Sequence, residues 1–349
     1  MSSENGRSPV MADVARLAGV SHQTVSRVLN GHPNVRPETQ ARVQAAIEQL
    51  GYHRNSSARA LVTRRTNVLG VVTFDTTLYG PASTLSGIER AAREAGYFVS
   101  IVTLTDISRA SVREALDYLA EQSVEGCIVI APQRAAVESL TDVSVARPLV
   151  AVEGGRAPGL PVVCVDQVGG ARAVTEHLLG LGHRTVHHVA GPMEWLEAEG
   201  RVQGWREALE AAGAPIPEPL RGDWSPRSGY EIGLRLAEDP RITAVFVAND
   251  QMALGVLRAL GEAGIRIPEE VSVAGFDDVP EAEFFTPPLT TVWQNFSDVG
   301  RRSIRLLVDQ IDRRARKGSA GATETEEDLR DVVPARLVVR ASTAPVQLR

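Results

Sequence analysis

Between residues 10 and 50 the apolar positions recur with the period of an α-helix. Met11, Val14, Ala15 and Ala18 share one face of a first segment, and Val25, Val28 and Leu29 share one face of a second. Val43, Ala46, Ile47 and Leu50 do the same over a third, spanning 36–50. Gly19 and Val20 separate the first two, Ser21 is placed to cap the second, and Gly51 closes the third. Three short helices around one small core are predicted, the first two as a helix-turn-helix. From Val68 the pattern changes. Near-continuous apolar runs, VLGVVTF (68), FVSIVTL (98), GCIVIA (126), VVCVD (162), TVHHVAG (185), ITAVFVAND (242) and VSVAGFDD (271), alternate with amphipathic segments. This predicts an α/β body with parallel sheets covered on both faces. Three of its helices repeat the spacing Gly-x-x-x-Ala-x-x-x-Ala-Gly, at 87–96, 204–213 and 255–264. The recurrence fits two related lobes, or a common helix grammar in an Ala-rich chain.

Length and charge sharpen this division. The 349 residues, 43% of them hydrophobic, suffice for two or three folding units. Residues 1–65 hold nine arginines against four acids, a net +5, while the whole chain carries −6, so the remainder carries −11. A basic head on an acidic body is expected where only the head meets phosphate. No apolar run matches a signal peptide or a membrane span, so a cytoplasmic protein without membrane partners is expected. Cys127 and Cys164 sit far apart in apolar strands, which predicts buried thiols with neither a disulfide nor a metal site. No cofactor is expected.

The second helix carries the candidate DNA chemistry. His22, Gln23 and Arg27 point away from Val25 and Leu29; Gln can pair bidentately with adenine and Arg with guanine. Beyond the third helix, HRNSSARALVTRRTN is polar and Arg-rich yet made of residues a helix tolerates, and reads as a conditional linker.

With these residues in view, ADVARLAGVSHQTVSRVLNG and LGYHRNSSARAL, followed by RVQGW (201), GDWS (222), VANDQMALG (247) and PPLTT (287), resemble the LacI/GalR family of bacterial transcription regulators from about residue 10 to 340. The resemblance implies an N-terminal all-α helix-turn-helix headpiece at 8–54, a hinge helix at 55–66 and a type I periplasmic-binding-protein-like body at 67–343. Lobe 1 would span about 67–165 and 295–328, and lobe 2 about 166–294 and 331–343, exchanging chain near Asp166, Asn295 and Asp331. It implies DNA contacts from His22, Gln23, Thr24, Ser26, Arg27 and Asn30. Asn55, Ala58 and Arg59 would lie along the minor groove, with Leu61 as the apolar wedge. The implied partners are a palindromic double-stranded operator, a small sugar effector and a second copy of the chain. The chain ends at TAPVQLR without a leucine-heptad helix, so a dimer is expected, and 313–330 reads as an exposed loop.

Open parallel sheets bind ligands beyond the carboxyl ends of their strands, where Asn249, Asp250, Asp277 and Asp278 fall. By resemblance to sugar-responsive members, the effector site would comprise Asp75, Leu78, Glu153, Arg201, Trp224, Asn249, Asp277 and Gln294. Taken singly, Asp277 or Asp278 could cap a segment, Asn249 could form an Asx-turn and Trp224 could fill the core. Phe74, Asp75, Ile130, Glu153 and Val165 depart from the sugar-responsive pattern, so a galactoside or another glycoside is expected. An enzyme or a sugar-binding protein without a regulatory role is the alternative reading. The adjacent acids sit on single turns rather than opposed across a substrate, which disfavours glycoside hydrolysis. No nucleophile elbow or phosphate loop occurs. A purine-responsive regulator fits Trp224 and Arg201 less well.

Overall fold

The computed structural model describes residues 9–29, 31–52, 65–106, 108–140, 147–153, 159–316 and 330–347. They form two compact units that divide between Thr66 and Asn67. Asn30 and the linker residues Asn55, Ala58, Arg59 and Leu61 lie outside the described residues.

The first unit holds α1 (Met11–Ala18), α2 (His22–Leu29) and α3 (Pro37–Leu50). Asp13 Oδ2 accepts from the Val10 amide at 3.0 Å, satisfying an N-terminal donor of α1. Gly19, at φ +64°, reverses the chain so that the Val20 amide reaches the Ala15 carbonyl at 3.0 Å. Ser21 Oγ then accepts from the Thr24 amide at 3.1 Å and starts α2. Arg36, expected as the first residue of α3, is extended (φ −61°, ψ 139°); Pro37 begins the helix because its ring presets φ. Val14, Val25 and Val43 are fully buried and meet with Ala15, Ala18, Ala46 and Tyr52 in one core.

The second unit runs β1 (Val68–Thr73), α4 (Tyr79–Glu94), β2 (Phe98–Thr103), α5 (Arg109–Glu121), β3 (Gly126–Ile130), α6 (Arg134–Leu140), β4 (Leu149–Val152) and β5 (Val162–Val165). It continues with α7 (Gln167–Gly180), β6 (His187–Ala190), α8 (Leu196–Ala211), β7 (Leu220–Arg221), α9 (Pro226–Ala237), β8 (Ala244–Val247), α10 (Asp250–Glu262) and β9 (Ser272–Ala274). After a 3-10 turn at Ala282–Phe284 come β10 (Thr291–Trp293), α11 (Phe296–Arg316), β11 (Arg330–Val333) and β12 (Arg336–Val338). The strands pair into a six-stranded sheet in the order β11-β5-β4-β3-β1-β2, a four-stranded sheet β7-β6-β8-β9 and an antiparallel pair β10-β12. Every pairing in the two larger sheets is parallel. Each sheet anchors one lobe, and both faces of each are covered by buried aliphatic clusters.

The lobes exchange chain after β5, between β10 and α11, and between β11 and β12. The third exchange was expected near Asp331. Instead Asp331 pairs with Val163 in β11, so Pro334 and Ala335 make the crossing. The polar sequence RDVV concealed an edge strand, whose exposed face accepts charge. Residues 313–316, expected to open a loop, are the last turn of α11. The packed chain also passes 343: the Ala344 amide donates to Ser272 Oγ at 3.0 Å, and the Val346 amide to the Leu181 carbonyl at 3.0 Å.

The repeated glycine spacing has a packing cause. A Cβ on Gly87, Gly204 or Gly255 would meet the backbone of a neighbouring helix: Phe296 O at 2.4 Å, Val168 O at 2.1 Å and Pro226 O at 2.0 Å. Each marks the closest approach of a helix pair, α4 with α11, α8 with α7 and α10 with α9.

Candidate functional site

On the first unit, complete burial of Val25 fixes which face of α2 meets the core. His22, Gln23 and Arg27 are then left exposed, and Thr24 and Ser26 half-buried. The Thr24 hydroxyl lies 2.8 Å from Ser21 Oγ, so its first structural partner is the cap. The exposed trio offers an amide that can donate and accept, an imidazole and a guanidinium on one side of one helix. That is the chemistry needed to read base edges from a major groove.

On the second unit, the carboxyl ends of β8 and β9 and the first turns of α8 and α4 enclose a cavity of about 300 Å³. Arg201, on α8, is buried at its floor. Its Nε donates to Gln167 Oε1 at 2.9 Å, Nη1 donates to the Ala248 carbonyl, and Nη2 lies 3.3 Å from Asp277 Oδ1. Gln167 Nε2 donates to Gln294 Oε1 at 2.9 Å, and Gln294 Nε2 to Asp277 Oδ1 at 2.7 Å. Arg201, Gln167, Gln294 and Asp277 therefore form a closed ring within the second lobe, with Gln167 and Gln294 beside two of the chain crossings. The guanidinium also stacks 3.9 Å from the Phe276 ring centroid. Such a ring holds each polar group in one orientation before a ligand arrives.

Aromatic walls complete the cavity. Trp224 and Trp195 meet edge to face at 5.9 Å, a pair of flat surfaces suited to the CH faces of a sugar. Trp224 sits at φ +73°, a conformation strained for a bulky residue, and the Asn249 amide holds its carbonyl at 3.1 Å. Trp224 Nε1 is buried without a partner. Asn249 is both things the sequence allowed: it lines the cavity, and its Oδ1 caps α10 by accepting from the Met252 amide at 2.9 Å.

Not every expected residue reaches the cavity. Leu78, Arg201, Trp224, Asn249 and Asp277 line it, while Glu153 and Gln294 line a small nook beside it. Asp75 lines neither. It is exposed and accepts from the amide and hydroxyl of Thr77, at 2.9 and 2.5 Å, in an Asx-turn; Thr77 takes the place on the wall. Asp250 and Asp278, also flagged at strand ends, are structural. Asp250 is sealed, accepting from the Val279 amide at 2.9 Å and the Thr291 hydroxyl at 2.6 Å, and Asp278 pairs with Arg340 at 2.7 Å.

Among the lining residues that the sequence did not single out are Glu197 and Trp195 in the cavity and Gln167 in the nook. Glu197 stands four residues before Arg201, on the same face of α8, and that spacing was the available signal. Burial raises the carboxyls of this region. Asp277 is pushed up to about 6, with Arg201 and Gln294 pulling it down, and Glu153 up to about 7, opposed by the Val165 amide and Arg201. Glu197 rises well above the usual carboxylate range through burial and the nearby Glu153 charge.

Comparison with known proteins agrees with this geometry. Residues 10–55 match the model of bacterial regulatory proteins of the lacI family, and 175–343 match the periplasmic binding protein-like domain. The chain is 38% identical over 352 residues to the HTH-type transcriptional regulator CelR of Thermobifida fusca, covering 97% of this chain and 99% of that protein. Against the lactose operon repressor of Escherichia coli (strain K12) it is 32% identical over 338 residues, 95% of this chain and 89% of the other. The lac repressor dimer bound to operator and the anti-inducer ONPF superposes with a TM-score of 0.81 at 30% identity, covering 97% and 100% of the two chains. A CelR-cellobiose complex superposes with a TM-score of 0.68 at 34% identity, covering 96% and 99%. These relatives are transcriptional regulators. It belongs to the LacI family of bacterial transcriptional regulators.

Proposed function

We propose that this regulator is a cytoplasmic repressor that binds a palindromic operator as a homodimer and releases it when a glycoside, in the first instance a β-linked disaccharide, occupies the cleft of the second unit. The reading rests on the ring of Arg201, Gln167, Gln294 and Asp277 beneath the Trp195 and Trp224 faces, which presents forked donors and acceptors to vicinal hydroxyls and flat surfaces to a pyranose. Cellobiose in the complex of CelR and operator in that of the lac repressor supply the ligand classes by analogy. His22, Gln23 and Arg27 would read base edges, with Thr24, Ser26 and Asn30 beside them. The hinge at 55–66, with Asn55, Ala58, Arg59 and Leu61, would follow the minor groove.

Fluorescence anisotropy on a labelled palindrome from the protein's own upstream region, at fixed salt, tests this against cellobiose, lactose and other glycosides. Release by one of them supports the reading. Tight operator binding indifferent to every saccharide would sink the effector half of the proposal.

A further inference from the structure

The two lobes also meet directly, through backbone. The loop after β3 in the first lobe runs against the loop before α8 in the second. Gln133 and Trp195 form an antiparallel bridge. Flanking it, the Arg134 amide donates to the Glu194 carbonyl at 3.1 Å and the Leu196 amide to the Pro132 carbonyl at 2.8 Å. Beside the bridge the Arg134 guanidinium donates to the Glu199 carboxylate. This contact stands well away from the chain crossings: β4 separates β3 from the crossing after β5, and β8 and β9 separate β6 from β10. It therefore holds the lobes at the side where turning about the crossings moves them most.

The side chains decide what this contact is worth. Backbone bonds of this kind are open to any residue with an amide, whereas the ion pair needs Arg134 and Glu199 in particular. Glu138 is the other acid near Arg134. The Arg134 side chain is 58% exposed and that of Glu199 30%, so water and salt weaken the pair without abolishing it. Both ends reach the effector cavity indirectly. Trp195 is the N-cap of α8, and its carbonyl accepts from the Glu199 amide at 3.1 Å. The Trp195 ring is a cavity wall, edge to face with Trp224. On the other side Pro132, close before Arg134 in the chain, lines the nook. Neither Arg134 nor Glu199 lines the cavity or the nook, so the pair acts on a ligand only through lobe closure and the placement of Trp195.

We propose that Arg134 and Glu199 are positioning residues for the effector: their ion pair clasps the lobes on the side of the cleft away from the chain crossings and sets Trp195 as a fixed wall for the saccharide. The proposal deepens the sugar-responsive reading of the cleft and rests on it. Fixing a wall before the ligand arrives lowers the ordering cost of binding, and a pair between lobes favours the arrangement in which both touch the ligand. A neutral saccharide has no charge for salt to screen, so the clasp makes its affinity depend on ionic strength.

Isothermal titration calorimetry of the full-length protein with cellobiose and lactose, at about 0.05 and about 1 M sodium chloride, tests it. Wild-type affinity should fall about twofold to fivefold at the higher salt. Arg134→Gln and Glu199→Gln should each show the same loss at low salt and a flat salt profile, and the double variant should bind no more weakly than either single one. Both side chains are partly exposed, so the variants are expected to fold, and operator binding by anisotropy checks that. Wild-type affinity in Arg134→Gln would overturn the clasp. So would a salt slope that survives both substitutions, or losses that add in the double variant. Saccharide binding indifferent to these substitutions removes the clasp alone, whereas a folded, operator-binding protein that takes neither saccharide removes the sugar reading and the clasp's role with it.

Discussion

At the scale of single residues, the cleft depends on buried charge held by partners. Arg201→Ala would leave Asp277 buried with only Gln294 against it, and breaking a buried pair from one side costs about 3–5 kcal/mol. Thermal unfolding should show that loss, while operator binding below the melting temperature persists and release by sugar disappears; full release in the variant would remove Arg201 from the site. His188 makes the opposite kind of case. It lies between Trp205 (5.4 Å) and Phe246 (4.5 Å), and burial lowers its pKa to about 4, so it stays neutral in the fold. The unfolded chain protonates near 6.5, so this part of the stability is complete above that pH and is lost as pH falls from about 6.5 toward 4. His188→Phe should therefore melt with a shallower acid-side decline than the wild type between pH 6.5 and 4.5. Residue chemistry was only partly legible in the chain. RVQGW and GDWS marked Arg201 and Trp224, but Glu197 stood among Glu194 and Glu199 like any acid on a solvated helix start. Asp75 was misplaced because Asp-x-Thr turns its carboxylate onto its own backbone, a local satisfaction that outcompetes the cleft.

Elements were more legible than residues, because period and length speak over many positions. The three headpiece helices and seven apolar strands stand where apolar runs and turn signals put them, whereas β4, β7, β10 and β12 were not singled out. The repeated glycine spacing was visible, but its cause is tertiary. A Cβ at Gly204 would fall 2.1 Å from the Val168 carbonyl, so Gly204→Ala must push α8 from α7. A loss of about 1–3 kcal/mol is expected by denaturant unfolding, against a gain of about 0.4–1 kcal/mol for the same change at exposed helical Gly261, whose Cβ would meet nothing. Helix α2 makes a prediction of its own kind. Arg27 is exposed and the Val25 anchor is on another face, so Arg27→Ala should leave the headpiece fold intact and remove about 1–3 kcal/mol of discrimination between operator and a base-substituted site. An equal loss on operator and random DNA would instead make Arg27 a phosphate contact.

For the molecule as a whole, the three chain crossings fix what kind of motion is available. β11 lies beside β5, and β10 beside β12, so all three connections run side by side and the lobes can turn about them without breaking either large sheet. The ring of Arg201, Gln167, Gln294 and Asp277 belongs to the second lobe, and Thr77, Leu78 and Tyr79 of the first line the same cavity, so a sugar that touches both prefers one arrangement of the lobes. A ligand shifts an equilibrium only by its differential affinity for the two states, and the coupling is reciprocal. If sugar weakens operator binding by a given factor, operator must weaken sugar binding by the same factor, about 5–150-fold for couplings of the usual size. Calorimetric sugar titration of the protein alone and of its operator complex, set beside anisotropy with and without saturating sugar at the same salt, should return equal ratios. Unequal ratios would mean that the sugar changes assembly rather than lobe closure, because a dimer that dissociates adds a concentration-dependent step that this two-state cycle lacks.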